Sequence, residues 1–349
     1  MTELAEGVNC QWRIAARPVG NVKREDFEYR ETEIPEPGEG EFLLRTLYLG
    51  LAPVMRMYML GEAVAQARPL EIGDIIHGRG VAEVVASKHP DYQVGDVVQG
   101  QLGWQTYKIS RGTPGERFFK MPVNDMPLGH AGGTLGMTGL SAWGGWMQCA
   151  DARPGDRVLV SGAAGGVGTL VVQMARIQGC HVTAMAGGPE KCRFLEELGC
   201  DRTIDYKSED LAGRLPELFP DGIDVYFDNV GGDTLSACLD NLAMGARIVL
   251  CGSISEYLLD EPYGLMNYTR LRSVNGTMRG FFVYNFWDRF DECVEQLAGW
   301  IRAGQLRPVE QVIEGFHRMP EALARLYDGV NVGVQICQVR ADLLHGETK

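Results

Sequence analysis

The chain has 349 residues, of which 45% are hydrophobic and 23% charged, and its formal net charge is -13. This composition is typical of a globular protein with room for two domains. The acidity disfavours general nucleic-acid binding, which requires a basic surface, but it leaves room for a small phosphorylated ligand at a locally positive site.

The amino terminus and the cysteines predict a cytoplasmic location without a membrane partner. Residues 1–20 lack the basic start and apolar segment of a secretory signal. No stretch approaches the run of about 18 apolar residues that a membrane helix requires. The nine cysteines include no Cys-x-x-Cys pair, so neither a disulfide framework nor a zinc ribbon is indicated. Reduced thiols are therefore expected.

The first third of the chain has the pattern of a β-rich domain. Three runs predict strands: "EFLLRTLYLG" (41–50), "IIHGRGVAEVV" (75–85) and "QVGDVVQG" (93–100). Turn residues separate these runs. Together they predict a small twisted barrel, in which Gly78 and Gly80 mark a bulge or a close backbone approach.

From about residue 128 the chain alternates strands with helices. The clearest segments are "RVLVSG" (157–162), "GGVGTLVVQMARIQGC" (165–180), "HVTAMAGG" (181–188), "PEKCRFLEELGC" (189–200) and "ARIVLCGS" (246–253). This alternation predicts βαβ units and a parallel sheet covered on both faces. A long amphipathic helix is predicted over 285–304, and the strand-like tail from 309 is expected to rejoin the first domain.

A glycine-rich turn lies between the strand at 157–162 and the helix that follows. Gly162, Gly165 and Gly168 have the spacing G-x-x-G-x-x-G. A tight turn and close helix–strand packing both require residues without Cβ, and a helix amino terminus offers free N–H groups to a pyrophosphate. The order strand, glycine turn, helix, strand predicts a dinucleotide site rather than a plain turn.

The residues after the next strand favour NADP over NAD. An NAD site usually carries Asp or Glu there, to bind the ribose 2′-hydroxyl. Here the strand ends in Ala186-Gly187-Gly188, and no carboxylate follows until Glu190. Lys191, Arg193 and Tyr206 lie close enough in sequence to meet a 2′-phosphate of roughly -1.5 to -2 charges.

The histidines do not indicate a metal site. The six are scattered, and none forms a His-x-x-His pair, a spacing expected of metal ligands. No metal is predicted, so the chemistry is expected to depend on the cofactor and on hydrogen bonds from the protein.

These motifs, taken together, resemble the zinc-independent medium-chain dehydrogenases/reductases, in the branch of leukotriene B4 dehydrogenase/15-oxoprostaglandin reductase, alkenal double-bond reductases and bacterial curcumin reductase. The segments that carry the resemblance, in order, are "QWRIAARPVG" (11–20), "PGEGEFLLRTLYLGLAP" (37–53), "AAGGVGTLVVQMARIQGC", "IDVYFDNVGG", "CGSISEY" (251–257) and "IEGFHRMPEAL" (313–323). Zinc-dependent relatives have Gly-His-Glu where this chain has Gly78-Arg79-Gly80.

The resemblance implies a Rossmann-type doubly wound parallel sheet domain at 128–308 and a β-rich GroES-like domain at 1–127 and 309–349. It also implies a homodimer, formed by sheet edges, and a set of NADPH contacts. Those contacts are Gly165, Gly166, Val167 and Gly168 at the pyrophosphate, Lys191 and Tyr206 at the 2′-phosphate, and Asn229, Cys251, Gly252, Ser253, Ile254, Ser255, Tyr257, Phe281, Phe282, Val283 and Asn331 on the nicotinamide side.

The reaction implied is reduction of the conjugated carbon–carbon double bond of a small enal or enone. Hydride goes to the β-carbon, an enolate develops, and a hydroxyl donor at its oxygen stabilises the transition state. Tyr257 is the candidate catalytic donor, and the proton for the α-carbon comes from Tyr257 or from water. The candidate substrate pocket comprises Val54, Tyr58, Tyr257 and Tyr284.

Two departures from the family pattern concern the substrate and leave other functions open. Relatives commonly read Asp-Pro-Tyr-Met-Arg where this chain has Ala52-Pro53-Val54-Met55-Arg56. After Tyr257, relatives often carry a loop with several prolines near the substrate mouth, whereas the segment 258–273 of this chain has only Pro262. The alternatives are an NADPH:quinone reductase and a non-enzymatic NADPH-binding module, because fold alone does not determine function.

Overall fold

The computed structural model describes residues 7–62, 69–121, 125–259, 261 and 263–340. Their contacts divide the chain into two units. The first unit contains the chain up to Gly136, Glu310–Val330 and the chain from Gln335; the second contains Met137–Val309 and Asn331–Val334. The units divide at 136/137 and 309/310, whereas the expected domains divided at 127/128 and 308/309. The assignment of functional domains stays a prediction.

The first unit begins with seven strands and two short helices. These are β1 (Val8–Ile14), β2 (Phe27–Glu33), β3 (Phe42–Leu51), α1 (Val54–Met59), β4 (Arg79–Ser87), β5 (Val97–Gln101), β6 (Tyr107–Ser110), β7 (Phe119–Lys120) and α2 (Leu128–Gly132). The three strands predicted in this part of the sequence correspond to β3, β4 and β5. The prediction of a β-rich fold here is therefore confirmed.

The second unit alternates strands with helices. Its elements are α3 (Met137–Cys149), β8 (Arg157–Val160), α4 (Gly166–Ile177), β9 (His181–Ala186), α5 (Pro189–Glu197), β10 (Arg202–Asp205), α6 (Leu211–Leu218), β11 (Ile223–Asp228), α7 (Gly232–Leu239), β12 (Leu242–Leu250), α8 (Arg270–Ser273), β13 (Thr277–Gly280) and α9 (Phe290–Arg302). The strands form one parallel sheet in the order β10-β9-β8-β11-β12-β13. The predicted parallel sheet is confirmed, and its strand order reverses between β8 and β11, where such folds bind ligands.

The tail completes the sheet of the first unit. It contains β14 (Glu310–Glu314), α10 (Met319–Tyr327) and β15 (Val334–Gln338). β15 pairs antiparallel with β3, in the register Ile336 to Gly50. The resulting sheet has the order β14-β15-β3-β4-β5-β7, with β6 paired to β3, while β1 and β2 form a separate pair. Aromatic rings fill the core beneath: Phe27 stacks on Trp104, with ring centroids 5.7 Å apart.

Gly80 allows a close approach between β3 and β4, as its position inside a strand pattern predicts. A Cβ at Gly80 would lie 1.9 Å from the carbonyl oxygen of Tyr48, and a Cβ at Gly78 would lie 2.6 Å from the Trp104 ring. The register between β3 and β4 shifts between Thr46 and Tyr48. Because a side chain at position 80 would occupy the space of the neighbouring backbone, only glycine fits there.

The predicted continuous helix over 285–304 is wrong at its start. Val283–Arg289 forms a 3-10 helix, and α9 begins only at Phe290. Phe286 packs directly on Gly144 of α3, where a Cβ would lie 2.1 Å from its ring. This packing holds the segment in the tighter winding, so a tertiary contact overrides the helical pattern. Within the described ranges, no helix is long and apolar enough to cross a membrane.

We predict that Gly80→Ala destabilises the first unit, because the added methyl group overlaps the Tyr48 carbonyl. The expected loss is about 3 kcal/mol in the free energy of unfolding, measured by urea denaturation. The matched control is Gly115→Ala in the same unit, where a Cβ would meet nothing within 4 Å. The control should change stability by no more than about 0.5 kcal/mol. Equal losses in both variants would contradict the packing argument.

Candidate active site

The glycine-rich turn joins β8 to α4 in the second unit. Gly162 has a positive φ of 56°, and Gly165 precedes the first residue of α4. A Cβ at Gly168 would lie 2.4 Å from the carbonyl oxygen of Gly162 and 2.6 Å from the Cα of Ala163. The spacing of the glycines therefore serves two purposes: Gly162 makes the turn, and Gly168 lets the helix pack against it.

The start of α4 can hold an anion. Gly165, Gly166 and Val167 are partly exposed, whereas Gly168 is buried. The first N–H groups of an α-helix have no partner within the helix, and its amino terminus carries partial positive charge. These exposed backbone donors fit a pyrophosphate, which approaches most closely where side chains are absent.

The end of β9 gathers cationic and hydroxyl groups. A Cβ at Gly187 would lie 2.8 Å from the Tyr206 hydroxyl and 2.9 Å from Cε of Lys207. Lys191 lies in the first turn of α5, and its pKa is lowered by burial and by the nearby charge of Lys207. Two ammonium groups and a phenol around a residue without a side chain fit a doubly charged phosphate.

Two residues of this corner, Lys207 and Asp205, could not be predicted from the sequence, because the pairing of β10 with β9 brings them there. The Asp205 carboxylate accepts hydrogen bonds from the N–H groups of Gly188 (2.7 Å) and Lys207 (3.1 Å) and from the Ser208 hydroxyl (2.9 Å). The Gly188 hydrogen bond is the main reason that the pKa of Asp205 is lowered. This carboxylate shapes the turn. Arg193 is exposed and lies two residues beyond Lys191, on a different face of α5.

Asn229 follows β11 and is tied to the end of β8. Its side-chain amide donates to the carbonyl oxygen of Ser161 at 2.8 Å, and its own N–H donates to the Ser161 hydroxyl at 3.0 Å. Gly231 and Gly232 then turn with positive φ into α7. The predicted cofactor residue Asn229 is thus fixed at the edge where the strand order reverses.

The segment after β12 folds onto the Asn229 turn. The N–H groups of Cys251 and Gly252 donate to the Asp228 carbonyl oxygen at 2.9 and 3.2 Å. Ile254 N–H donates to the Asn229 carbonyl oxygen at 3.3 Å, and Ser255 N–H to the Val230 carbonyl oxygen at 3.1 Å. Residues 251–255 therefore form a second loop of the same sheet edge.

Tyr257 is held at the end of this loop. The backbone N–H of Ser253 donates a hydrogen bond to the Tyr257 hydroxyl oxygen, with 3.4 Å between nitrogen and oxygen. Burial is the main reason that the pKa of Tyr257 is raised. The phenol therefore keeps its proton through neutral pH and can donate a hydrogen bond.

Two further segments reach the same edge. Gly280, at the end of β13, pairs with Leu250, so Phe281 follows β13 beside the 251–257 loop. The ring of Phe281 lies against Gly145 of α3. The segment 331–334 lies beside the glycine-rich turn, because Gly333 N–H donates to the Ala164 carbonyl oxygen at 2.8 Å. The second unit thereby brings the loops of Gly162–Gly168, Asn229, 251–257, 281–283 and Asn331 to the carboxyl edge of its sheet.

The four predicted substrate residues divide between the units. Val54 and Tyr58 lie on one face of α1 in the first unit, and the Tyr58 ring meets the His77 ring edge-on, with centroids 5.2 Å apart. Tyr257 and Tyr284 belong to the second unit, where the Tyr284 ring lies 5.1 Å from that of Phe282. Pro262 lies outside the described residues.

All nine cysteines are free, and in the part of the chain that the structure describes no group of three or more His, Cys, Asp or Glu side chains is placed to hold a metal ion. Cys251, in the candidate site, is partly exposed. Although the residue is partly exposed, its thiol group is desolvated, and this desolvation together with the charge of Asp228 raises the pKa of the thiol to about 12. The thiol is therefore protonated and unreactive at neutral pH.

The chain is similar to known proteins over nearly its whole length. Two family models match: "N-terminal domain of oxidoreductase" over residues 10–118 and "zinc-binding dehydrogenase" over residues 166–299. The chain is 37% identical to a 2-alkenal reductase (NADP(+)-dependent) from Nicotiana tabacum, over 92% of this chain and 94% of that protein.

Bacterial relatives are equally similar. The chain is 36% identical to the NADPH-dependent curcumin reductase of Escherichia coli (strain K12), over 96% of this chain and 98% of the relative. The crystal structure of CurA from Vibrio vulnificus in complex with NADPH superposes with a TM-score of 0.88 at 35% identity, over 95% of this chain and 100% of that one.

Proposed function

Because this chain belongs to the zinc-independent branch of the medium-chain dehydrogenase/reductase superfamily, with the alkenal, curcumin and prostaglandin reductases, we propose that it is an NADPH-dependent reductase of conjugated carbon–carbon double bonds in enals and enones. The observation that carries the proposal is the position of Tyr206 and Lys207 against Gly187, with Lys191 near the charge of Lys207, on the same sheet as the glycine-rich turn. These residues fit a dinucleotide with a 2′-phosphate.

The residues of the sheet edge divide the work of binding. The backbone at Gly165–Gly168 would hold the pyrophosphate, Lys191 and Tyr206 the 2′-phosphate, and Asn229, residues 251–257, 281–283 and Asn331 the nicotinamide half. When bound, NADPH supplies a hydride, which in this proposal goes to the β-carbon of the substrate. The protein's part is to orient that carbon and to stabilise the charge that then develops on the carbonyl oxygen.

Tyr257 is the residue we assign to that oxygen. Its hydroxyl oxygen accepts from the Ser253 N–H, and a phenol that accepts one hydrogen bond can also donate one. A donor aimed at the developing oxyanion stabilises the transition state more than the ground state. The α-carbon then receives a proton from Tyr257 or from water, and the product is the saturated carbonyl compound.

The edge strand β13 supports a homodimer, which we propose as the assembled form. β13 ends the sheet order of the second unit, and Thr277, Arg279 and Gly280 are exposed. An unpaired strand edge offers main-chain groups to a second copy.

The cysteines support a cytoplasmic location, which we also propose. They are free and mostly buried, and thiols persist in a reducing compartment.

The function is tested by following nicotinamide absorbance with a medium-chain 2-alkenal, an aryl enone and a small quinone, each with NADPH and with NADH. We expect NADPH to be consumed with the alkenal or the enone, and the saturated carbonyl to accumulate. Consumption with the quinone alone would instead identify a quinone reductase. NADPH binding without any turnover would favour a binding module.

Lys191→Ala is expected to weaken selection for NADPH. A hydrogen bond to a charged group contributes about 1.5–3 kcal/mol, so the KM for NADPH should rise roughly ten- to a hundredfold while the KM for NADH stays nearly constant. Lys88→Ala, at an exposed lysine of the first unit, is the control and should change neither value. A parallel rise for both cofactors in Lys191→Ala would contradict the assignment.

Tyr257→Phe is expected to lower kcat about a hundredfold, as loss of one oxyanion donor does, with a smaller effect on NADPH affinity. Since burial raises the pKa of Tyr257, the wild-type rate should show no fall from this group below about pH 10. Tyr263→Phe is the matched control. That partly exposed tyrosine donates its O–H to the Asp233 carboxylate at 2.8 Å, and the loss of this hydroxyl should leave kcat unchanged. A similar kcat in both variants would exclude Tyr257 as the donor.

The assembly is tested by light scattering of the full chain after size-exclusion chromatography. The proposed homodimer predicts a mass twice that of the 38.4 kDa chain. A mass of one chain at micromolar concentration would contradict it.

A further inference from the structure

Asp228 is a buried carboxylate that the proposed reaction does not use. It ends β11 and is 1% exposed. Its Oδ1 accepts four hydrogen bonds, from the hydroxyl groups of Tyr226 (2.7 Å) and Ser161 (3.0 Å) and from the N–H groups of Val230 (3.0 Å) and Gly231 (3.0 Å). Within the described residues, its Oδ2 is buried and has no hydrogen-bond partner.

Such a carboxylate is expensive to bury. None of its hydrogen-bond partners carries a positive charge, and a buried anion without a cation costs free energy unless donors compensate. Four donors on one oxygen compensate in part. An amide has nearly the same shape and would avoid the cost of burying a charge. The buried carboxylate is therefore expected to serve a purpose in the surrounding turn.

Asp228 organises three strand ends at once, two through its carboxylate and one through its carbonyl oxygen. Oδ1 holds the N–H groups of the turn after β11, and the Ser161 hydroxyl links it to the end of β8. That same hydroxyl accepts from the N–H of Asn229 at 3.0 Å. The Asp228 carbonyl oxygen accepts from Cys251 and Gly252 after β12. The positions of Asn229 and of the 251–257 loop therefore both depend on hydrogen bonds made by Asp228 or by its partner Ser161.

We propose that Asp228 is a positioning residue for NADPH: its carboxylate fixes the turn 229–232, and through that turn it holds Asn229 and the 251–257 loop in the geometry that binds the nicotinamide half. This inference rests on the proposed function. Asp228 itself is buried and acts through the neighbouring residues. Its charge also adds to the effect of burial in raising the pKa of Tyr257, which keeps the donor hydroxyl protonated.

The test compares Asp228→Asn with Asp224→Asn, at the two ends of the same strand. The Asp224 carboxylate accepts from Nε and N–H of Arg157 at 2.7 and 2.9 Å, at the end of β11 remote from the site. NADPH dissociation constants are measured by nicotinamide fluorescence, alongside melting temperature, KM and kcat. We expect Asp228→Asn to weaken NADPH binding about tenfold or more and to raise KM by the same factor, with a smaller change in kcat. Asp224→Asn should lose stability but keep its NADPH affinity.

The outcomes separate this inference from the proposed function. Failure of the wild-type chain to bind NADPH would refute the function itself. Wild-type binding together with unchanged affinity in Asp228→Asn would overturn the positioning role, and so would equal losses of affinity in the two Asn variants. If Asp228→Asn does not fold, Ser161→Ala and Tyr226→Phe decide the question. Both keep the carboxylate and remove one of its donors, and Ser161→Ala also removes the acceptor of the Asn229 N–H. Each should weaken NADPH binding severalfold, whereas normal affinity in both would overturn the proposal.

Discussion

The second unit depends on the close contact between α4 and the turn that precedes it. Gly168 lies so near the Gly162 carbonyl oxygen that any Cβ would overlap it. This contact sets how far the helix amino terminus stands from the sheet. Because β8 neighbours β11 at the reversal of strand order, the backbone donors at the helix start, which fit a pyrophosphate, lie at the same sheet edge as the loop after β11.

The chain is acidic as a whole but has a locally positive corner at the end of β9. A chain with a net charge of -13 offers a dianionic phosphate two lysines and a phenol at the end of β9. Asp205, at the same corner, accepts hydrogen bonds from the N–H groups of Gly188 and Lys207 and from the Ser208 hydroxyl. These donors stabilise the ionised form of the carboxylate, so Lys191 and Lys207 have to supply the positive charge that a phosphate requires at this corner.

The parts of the fold with strong local signals could be predicted from the sequence. Two such signals involve residues close together in the sequence: the glycine spacing at 162–168 and the proline at position 189. The structure begins α4 within the glycine motif and begins α5 at Pro189. The 3-10 helix at Val283–Arg289 could not be predicted, because it depends on Phe286 reaching Gly144, far away in the chain. Lys207 and Asp205 were missed for a similar reason: pairing of β10 with β9 carries them to the end of β9, beside Gly187 and Gly188. The role of Asp228 required the observed hydrogen bonds, since an aspartate at a strand end has no distinctive pattern.

The contact between Gly333 and the glycine-rich turn has a consequence for how the chain matures during synthesis. Gly333 donates to Ala164 and bridges to Gly165, although about half of the chain separates them. The first strands of the parallel sheet emerge from a ribosome long before this partner exists. The nucleotide-binding edge is therefore finished only when the carboxyl-terminal strand β15 arrives, and that strand continues directly into the sheet of the first unit. A non-local closure of this kind is slow to form, so the nascent chain completes the edge of one unit and the sheet of the other in a single late step.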